Sequence, residues 1–384
     1  MNIDDRETLV CRLGKRKKSY YIFHKYKEKV IKMGLEKGMV RCNGCGSFMK
    51  FHPREQQLVC EHCESTLPIK ENKQVKKHFI CDSNHVQDRQ IKEEKMEVIC
   101  NSCGANLERN ATDITVECPY CGGYYVFTLE PENTVYPDGI LPFFIDQNEI
   151  RERFRKWIKK RYFAPNKLKH LYQQNKFQGA YLPYWVFDAE ATAFYTGFGG
   201  VHRSETYEDE KGNKHTRTWT DWYPVSGHIQ HVFTDVTVSA SEGDDNQYTT
   251  EVLPFAVSSA NVYQEEYLCG FGAKQYQIPL KLGYDRAVEQ MIEELKSDAR
   301  NDILCRFNDA KNIKVDPSFY EEKYRYLLLP VYKTSYFFQG KEYIVFINGQ
   351  TGTIYGEYPK SIWKILLAIL GVILVIYIVY LLSQ

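Results

Sequence analysis

The sequence predicts an α+β fold: two small β-rich modules, a larger α+β domain with antiparallel sheet, and one C-terminal transmembrane helix. Three observations carry this prediction. Cysteine pairs with one spacing occur twice between residues 42 and 121, helix and strand patterns alternate between 131 and 360, and an apolar run closes the chain. The 384 residues have a formal net charge of +1, so overall charge does not favour binding to a polyanion.

Residues 1 to 40 are predicted to form a basic, partly helical segment. KRKK at 15 to 18 precedes a candidate amphipathic helix, SYYIFHKYKEKVIKMGLEKG, and its last glycine is typical of a helix end. The first ten residues are charged and have no apolar core, so we expect no signal peptide and a reducing compartment for the cysteines. The basic side chains fit either a solvated face or contact with phosphates of nucleic acid or anionic lipid.

Eight cysteines are spaced for metal binding. In CNGCGSFMKFHPREQQLVCEHC and CNSCGANLERNATDITVECPYC, two CxxC pairs flank fourteen residues. Two thiolates separated by two residues can hold adjacent corners of a tetrahedron, so each module is predicted to bind one Zn²⁺. The predicted ligands are Cys42, Cys45, Cys60 and Cys63 in the first module, and Cys100, Cys103, Cys118 and Cys121 in the second. Disulfides or unligated cysteines are the alternatives.

The modules are predicted to be zinc ribbons at 41–66 and 97–130. The residues between the pairs suffice for a hairpin: SFMKF with QQLVC in the first, and ITVEC with YYVFTL in the second. Gly46, Gly104 and Gly122 follow the second cysteine of three pairs, which suits a left-handed turn, and the fourth pair, CEHCE, has no such glycine. Four thiolates close the coordination sphere, so we expect structural rather than catalytic sites.

A charged segment at 67–96 is predicted to link the ribbons and to be helical at most in part. His78, Cys81 and His85 could share one helix face as metal ligands, although no fourth ligand is near in sequence.

Charge argues against nucleic-acid binding by the ribbons. Residues 97 to 127 hold one basic side chain, Arg109, against four acids, and a zinc ion with four thiolates adds a formal charge of about −2. Phosphate contact usually dominates nucleic-acid affinity. The ribbons are therefore expected to support protein contacts.

Two amphipathic helices are predicted within the α+β domain at 131–360. The first opens with the capping-box spacing of Asp146 and Glu149, and the second runs from about Asp285 to Phe307. The predicted core positions of the first helix are Ile150, Phe154, Trp157 and Ile158. Its opposite face is basic, with Arg151, Arg153, Arg155, Lys156, Lys159 and Lys160. That face is either solvated or lies near an anionic membrane leaflet.

Strand patterns surround these helices. They occur in GAYLPYWVFDAEATAFYTGFGG and VSGHIQHVFTDVTVSA, and again in YRYLLLPVYKTSYFF, KEYIVFING and GTIYGEY. A charged excursion around EDEKGNK separates the first two, and Asn348 with Gly349 marks a tight turn. Segments of LP or IP type at Leu141, Leu182, Ile278 and Leu329 bracket the helices twice, which suggests a two-fold internal repeat.

No catalytic motif is evident. The sequence has no G-x-x-x-x-G-K-[ST], H-E-x-x-H or G-x-S-x-G pattern. His228 and His231 lie three apart on a predicted strand, so their side chains should face opposite sides. We therefore expect a protein that is not an enzyme.

The C-terminal segment at 361–384 is predicted to be a membrane anchor. Ile365 to Leu382 are eighteen consecutive apolar residues, with Trp363 placed as an interfacial residue. Lys360 and Lys364 precede the run and indicate that this side is cytoplasmic. A buried core helix is the alternative, but the run has no polar face.

The double ribbon, followed by ILPFFIDQNEIRERFRKWIKKRYFAP, GAYLPYWVFDAEATAFYTG, INGQTGTIYGEYPKS and the apolar tail, resembles a family of bacterial membrane proteins with transcription-factor-IIB-type zinc ribbons, the YdjG-like proteins. The resemblance covers residues 41 to 384. It implies a non-enzymatic protein at the cytoplasmic membrane, associated with scaffold proteins of the phage-shock or flotillin-like kind. Some members carry primosomal or helicase-like labels, which this sequence does not support because it has no nucleotide-binding loop.

The sequence thus favours a tail-anchored zinc-ribbon adaptor that docks partner proteins at the cytoplasmic face of the membrane. The first alternative is a membrane-tethered nucleic-acid binder that uses residues 15 to 18. The second is an enzyme with an unfamiliar site within 131–360.

Overall fold

The computed structural model describes residues 40–83, 95–100, 103–121, 124–126, 135–166, 168, 177–209, 212, 214–242 and 251–382. The predicted basic helix, His85 and Gly122 lie outside these residues.

The predicted α+β class is confirmed, and sheet predominates. The α-helices in the described ranges are α1 Gln147–Lys159, α2 Leu280–Leu304 and α3 Ile362–Leu382. The strands there are β1 Met49–His52, β2 Gln57–Cys60, β3 Thr66–Pro68, β4 His78–Phe79, β5 Lys95–Ile99, β6 Asn106–Asn110, β7 Thr115–Glu117, β8 Tyr124–Val126, β9 Gly139–Ile140, β10 Gln178–Glu208, β11 Lys214–Ser239, β12 Asn261–Val262, β13 Gly272–Ala273, β14 Asp309–Phe338, β15 Lys341–Asn348 and β16 Ile354–Gly356.

Three long strands organise the main sheet, whose order is β11-β10-β14-β15-β16. β10, β11 and β14 have 31, 26 and 30 residues, against a usual strand length of about five or six. All three pair antiparallel, and β10 lies in the middle. The sequence predicted the last of these strands only from Tyr324, but β14 begins at Asp309. Its first half, KNIKVDPSFYEEK, has one solvated face and few apolar residues, which hides it from a pattern search.

Both faces of the sheet are covered near residues 181–187 and 324–332. Trp185, Tyr181, Tyr326 and Tyr332 are fully buried there. This is the main core of the α+β domain.

α1 begins as predicted. The Asp146 carboxylate accepts a hydrogen bond from the Glu149 backbone N–H at 2.8 Å, which confirms the N-cap. Ile150, Phe154 and Ile158 are buried, and Trp157 is half-buried.

α2 begins five residues before the predicted start. Pro279 precedes its first turn, and Gly283 then lies so close to the Trp185 ring that a Cβ on Gly283 would be 2.6 Å from Trp185 Cδ1. The apolar periodicity of this helix also places Ala287, Met291 and Leu295 on one face, and all three are buried. A side chain at position 283 would clash with the tryptophan, so glycine lets the first turn of α2 approach the ring.

Beyond the core, the three long strands continue as an arm, defined by residues 189–208, 214–233 and 309–322. The odd-numbered residues of β10 face α2, where Ala191, Ala193 and Tyr195 are buried. None of the described elements packs on the opposite face, which we call the open face, and past Gly200 the arm narrows to the β10/β11 hairpin. Within the described part of the chain, the arm therefore presents one exposed sheet face.

Short strands connect the early and late parts of the α+β domain. β9 pairs parallel with β14, and β13 pairs parallel with β10. Leu182 lies opposite Leu329 in the antiparallel pair between β10 and β14. An antiparallel sheet had been expected, but these two short pairs are parallel. α1 has 13 residues and α2 has 25, and the internal repeat stays a prediction.

The segment at 67–83 packs along the domain rather than bridging two modules freely. β3 adds a third strand to the first ribbon, and β4 pairs with β14. The Asn72 carbonyl accepts a hydrogen bond from the Val262 N–H at 2.6 Å. These contacts are made largely by backbone groups, which do not show in the amino-acid composition. Composition alone therefore suggested a linker.

Candidate metal centres

The first cysteine cluster forms where a hairpin brings its two ends together. β1 and β2 pair antiparallel from Met49 with Cys60 to His52 with Gln57, as predicted. Cys42 and Cys45 lie on the turn before β1, and Cys60 and Cys63 lie at the end of β2. The Sγ atoms of Cys42 and Cys63 are 3.4 Å apart, and those of Cys45 and Cys60 are 3.5 Å apart. All four Sγ atoms lie within 4.8 Å of one another.

Two matching turns shape this cluster. The Cys42 carbonyl accepts from the Gly46 N–H, and the Cys60 carbonyl accepts from the Glu64 N–H, both at 2.9 Å. Gly46 has φ 75° and Glu64 has φ 60°. The turn without glycine therefore adopts the same left-handed backbone, at an energetic cost that glycine avoids.

The second cluster has the same construction. The Sγ atoms of Cys100 and Cys121 are 3.6 Å apart, and those of Cys103 and Cys118 are 3.7 Å apart. Gly104, at φ 76°, donates its N–H to the Cys100 carbonyl. The predicted hairpin between β7 and β8 is present, and β5 and β6 form a second one.

A tyrosine supports the second cluster from outside the ligand set. The buried Tyr125 hydroxyl lies 2.8 Å from Cys100 Sγ and 4.0 Å from Cys121 Sγ. A hydroxyl that donates to a metal-bound thiolate fixes the ligand and lowers its negative charge density. The sequence pattern did not predict a role for Tyr125. The one indication in the sequence was an aromatic residue on the strand directly after the last CxxC pair.

These clusters fit metal ions, and they are consistent with two zinc sites. A tetrahedral zinc with Zn–S bonds of about 2.3 Å requires sulfur atoms about 3.8 Å apart. The distances of 3.3 to 3.7 Å between sulfurs of the second cluster are close to that value. Four thiolates leave no open position for water, so the chemistry available to such a site is structural. All eight predicted ligands are brought together in two groups of four.

The first ribbon docks against the α+β domain. Its Phe51 N–H donates to the Cys269 carbonyl at 2.9 Å. The Gln56 side-chain amide donates to the Phe143 carbonyl at 2.7 Å. Arg54 forms an ion pair with the helix cap Asp146 at 2.6 Å.

The second ribbon docks on the same stretch, 269–275. The Ile114 N–H donates to the Ala273 carbonyl at 2.8 Å, and the Gln275 N–H donates to the Thr112 carbonyl at 2.7 Å. The Thr115 hydroxyl donates to the Phe271 carbonyl at 3.0 Å. Both cysteine clusters therefore belong to modules that pack on the domain surface.

Acidic side chains are exposed on the second ribbon, as its sequence predicts. Arg109 is buried, and its guanidinium donates to the Asp113 carbonyl at 2.9 Å. Glu97, Glu108 and Glu117 are exposed. Glu108 pairs with Lys95 of β5 at 3.7 Å, so the described surface of this ribbon carries more acidic than basic side chains. The aromatic ring of Tyr120, 75% exposed, projects from its last CxxC turn.

The other candidate ligands lie apart. His78 Nε2 is 2.7 Å from the Asp138 carboxylate, so it is engaged in the α+β domain, and Cys81 is exposed. His228 lies beside Phe194 on the open face of the arm, whereas His231 meets the Asp298 carboxylate of α2 at 2.7 Å. The prediction that these two histidines face opposite sides is confirmed.

A groove of about 660 Å³ lies on the open face of the arm. Thr196, Phe198, Pro224, Ser226 and Lys314 contribute to its lining. Lys314 is its one ionisable side chain among the residues described, so the groove has no pair of groups suited to acid–base catalysis.

α3 is long and apolar enough to span a membrane. It has 21 residues, about 31 Å of helix, and no residue of it is buried. Lys364 stands in its first turn.

Comparison with known proteins gives one relative to report. The chain is 26% identical over 328 residues to the uncharacterized protein YdjG of Bacillus subtilis (strain 168), which covers 85% of this chain and 91% of that protein. No family model matches the chain. No solved structure matches it either. The chain is therefore similar to YdjG along most of its length, and the assignment of transcription-factor-IIB-type ribbons stays a prediction.

Proposed function

We propose that this protein is a membrane-anchored, non-enzymatic adaptor that docks partner proteins at the cytoplasmic face of the membrane. α3 provides the anchor in this proposal, and Lys360 and Lys364 mark the cytoplasmic side. The two clusters hold Zn²⁺ and stabilise the fold. The partners are membrane-associated or cytosolic scaffold proteins, of the phage-shock or flotillin-like kind that the family resemblance implies.

The open face of the arm is the observation that carries the proposal. Phe194, Phe198, Val232 and Tyr320 lie on this face, on three neighbouring strands, and are between 38% and 65% exposed. Exposed apolar patches of this kind mark protein interaction sites in many proteins. A groove with a single ionisable side chain favours binding over catalysis.

In this proposal the ribbons also brace the domain, and the expectation that they contact partner proteins stays a prediction. Both ribbons pack against residues 269–275, so they contact the domain directly and stabilise it. Among their described residues, the exposed large apolar side chains are Leu67, Ile99 and Tyr120, which are spread over separate strands and turns. We therefore propose the arm as the main docking face.

Photo-crosslinking in native membranes tests the proposal. p-Benzoylphenylalanine replaces Phe198 in the intact chain, and the same residue replaces Tyr207 as a control. Tyr207 is also exposed but lies on the hairpin beyond the third strand. We expect discrete protein adducts at position 198 only, and their loss when Phe194 and Val232 are changed to serine.

Adducts that are equal at both positions, or that survive the serine changes, would show that the open face is not the docking site. Replacing the cysteines of the second ribbon by serine is a poorer test, because loss of that ribbon also disturbs the domain against which it packs. Salt-sensitive DNA or RNA binding by the intact chain, lost when residues 15 to 18 are neutralised, would instead favour the membrane-tethered nucleic-acid binder.

A further inference from the structure

The start of α3 is fastened to the segment that follows α1. The Ser361 N–H donates to the Phe163 carbonyl at 2.7 Å. The Lys364 ammonium donates to the Ala164 carbonyl at 2.7 Å and to the Asn166 side chain at 2.8 Å. We call this region, residues 155–166 together with 358–373, the junction.

An arginine stack closes the junction on its other side. The Arg161 guanidinium lies 4.6 Å from the centre of the Trp157 ring and 5.3 Å from that of Tyr358. Trp157 belongs to α1, and Tyr358 lies four residues before α3. Stacking and hydrogen bonds together hold the end of α1 against the base of the membrane helix.

Phe163 is placed beside the apolar part of α3. It lines a groove of about 290 Å³ together with Ile365, Ala368, Ile369, Val372 and Ile373. These residues cover about 12 Å of helix, at about 1.5 Å per residue. The apolar run begins at Ile365, so a membrane that contains α3 also reaches the level of Phe163.

The end of α1 that adjoins Phe163 is basic. Its exposed cationic residues are Arg155, Lys156, Lys159 and Lys160. No acidic residue occurs between positions 153 and 166. Tyr162 and Trp363, which are 84% and 79% exposed, add the aromatic residues that favour a membrane–water interface.

We propose that the junction is a second membrane contact, which binds anionic phospholipid. Phe163 enters the acyl-chain region beside α3, and the cationic residues Arg155, Lys156 and Lys159 of α1, with Lys160 directly after it, contact the phosphate headgroups. Each basic residue near an anionic leaflet favours association about fivefold. A lipid fits better than another polyanion, because the basic segment leads directly to Phe163, which lines an apolar groove. The inference rests on the proposed anchoring of α3.

Photo-crosslinking to labelled lipid tests the depth of Phe163. p-Benzoylphenylalanine is placed singly at Phe163, at Leu370 within α3, and at Phe194 on the arm, in the intact chain reconstituted into phosphatidylcholine vesicles. Phe194 is the matched control for Phe163, because the two side chains are 42% and 40% exposed. We expect lipid adducts at 163 and 370 and none at 194.

The two proposals fail in different ways. Adducts at 370 without adducts at 163 would overturn the second membrane contact and leave the anchor in place. Absence of adducts at 370 would overturn the anchor itself, and with it the contact that depends on it.

Headgroup selectivity tests the basic face. In vesicles that mix phosphatidylcholine with phosphatidylglycerol, we expect adducts at position 163 to be enriched severalfold in phosphatidylglycerol over its share of the bilayer. Changing Arg155, Lys156, Lys159 and Lys160 to glutamine should remove the enrichment. A control with Lys214, Arg217, Lys281 and Lys314 changed to glutamine should retain it. An equal enrichment in both variants, or none in the unchanged chain, would overturn the assignment to anionic lipid.

Discussion

Phe51 of the first ribbon packs edge to face against Tyr267 of the α+β domain, with ring centroids 5.2 Å apart. Phe51 lies two residues from Met49, also buried, on β1, and Met49 pairs with Cys60 of β2. Both rings belong to the main hydrophobic core. The first cysteine cluster is therefore connected to the core of the domain through the short strand β1.

Removal of metal is expected to loosen the α+β domain as well as the ribbons. Four-thiolate sites supply folding free energy to the elements that they hold, and here those elements contribute side chains to the common core. Purified chain in detergent should contain two zinc ions, and strong chelation should reduce its near-ultraviolet circular dichroism and lower its thermal midpoint.

Tyr120→Ala, which changes an exposed ring, should keep both ions and serves as the control. Chelation that removes zinc but leaves the tertiary dichroism of the domain unchanged would show that ribbons and domain fold independently.

Glu64→Gly is expected to strengthen metal binding by the first ribbon. Glu64 holds a left-handed backbone at φ 60°, which costs an ordinary residue about 1 kcal/mol. Relief of that cost should raise zinc affinity about fivefold, measured by competition with a chromophoric chelator.

Gly46→Ala makes the converse change in the turn that follows Cys42 and Cys45. A Cβ there meets nothing within 4 Å, so only the backbone conformation at φ 75° is penalised, and affinity should fall by a similar factor. Equal affinities for all three proteins would mean that these turns do not limit binding.

Tyr125→Phe is expected to weaken the second site while preserving its fold. The change removes the hydroxyl that lies 2.8 Å from Cys100 Sγ and keeps the buried ring. Loss of such an outer contact typically lowers metal affinity at least about tenfold. Cobalt substitution, followed by displacement with zinc, gives the affinity of each site.

Tyr124→Phe is the matched control, because that hydroxyl donates to the Glu117 carboxylate and not to a ligand. A similar loss in both variants would show that the phenol of Tyr125 does not act on the thiolate.

The stability of the domain is expected to fall at alkaline pH through Cys269. Burial raises the pKa of this thiol from 9.0 to about 11. The unfolded chain therefore releases the proton first, so the contribution to stability is complete below pH 9 and is lost as pH rises to about 11. The difference between the two pKa values corresponds to at most about 3 kcal/mol.

Denaturant titrations of the unchanged chain and of Cys269→Ala at several pH values measure this contribution. The stability of the unchanged chain relative to the variant should decline between pH 9 and 11. A constant difference across that range would contradict the prediction, and Cys305→Ala, at an exposed site, provides the control.

The sequence by itself determined the local features of this protein. The spacing of the eight cysteines identified both four-thiolate groups, because a CxxC turn and a short hairpin are formed by residues close in sequence. The cap at Asp146, the buried stripe of α2 from Ala287 onwards and the apolar run of α3 are equally local. Periodicity and capping report such elements directly.

Only the tertiary structure decided how these elements meet. The first turn of α2 packs against Trp185, nearly a hundred residues away, and the first half of β14 pairs along its length with β10. The docking of both ribbons on 269–275 and the contact of the Lys364 ammonium with Ala164 all use backbone carbonyl or N–H groups as partners. Backbone hydrogen bonds leave almost no mark on side-chain pattern, so contacts between distant segments appear only when the chain is folded.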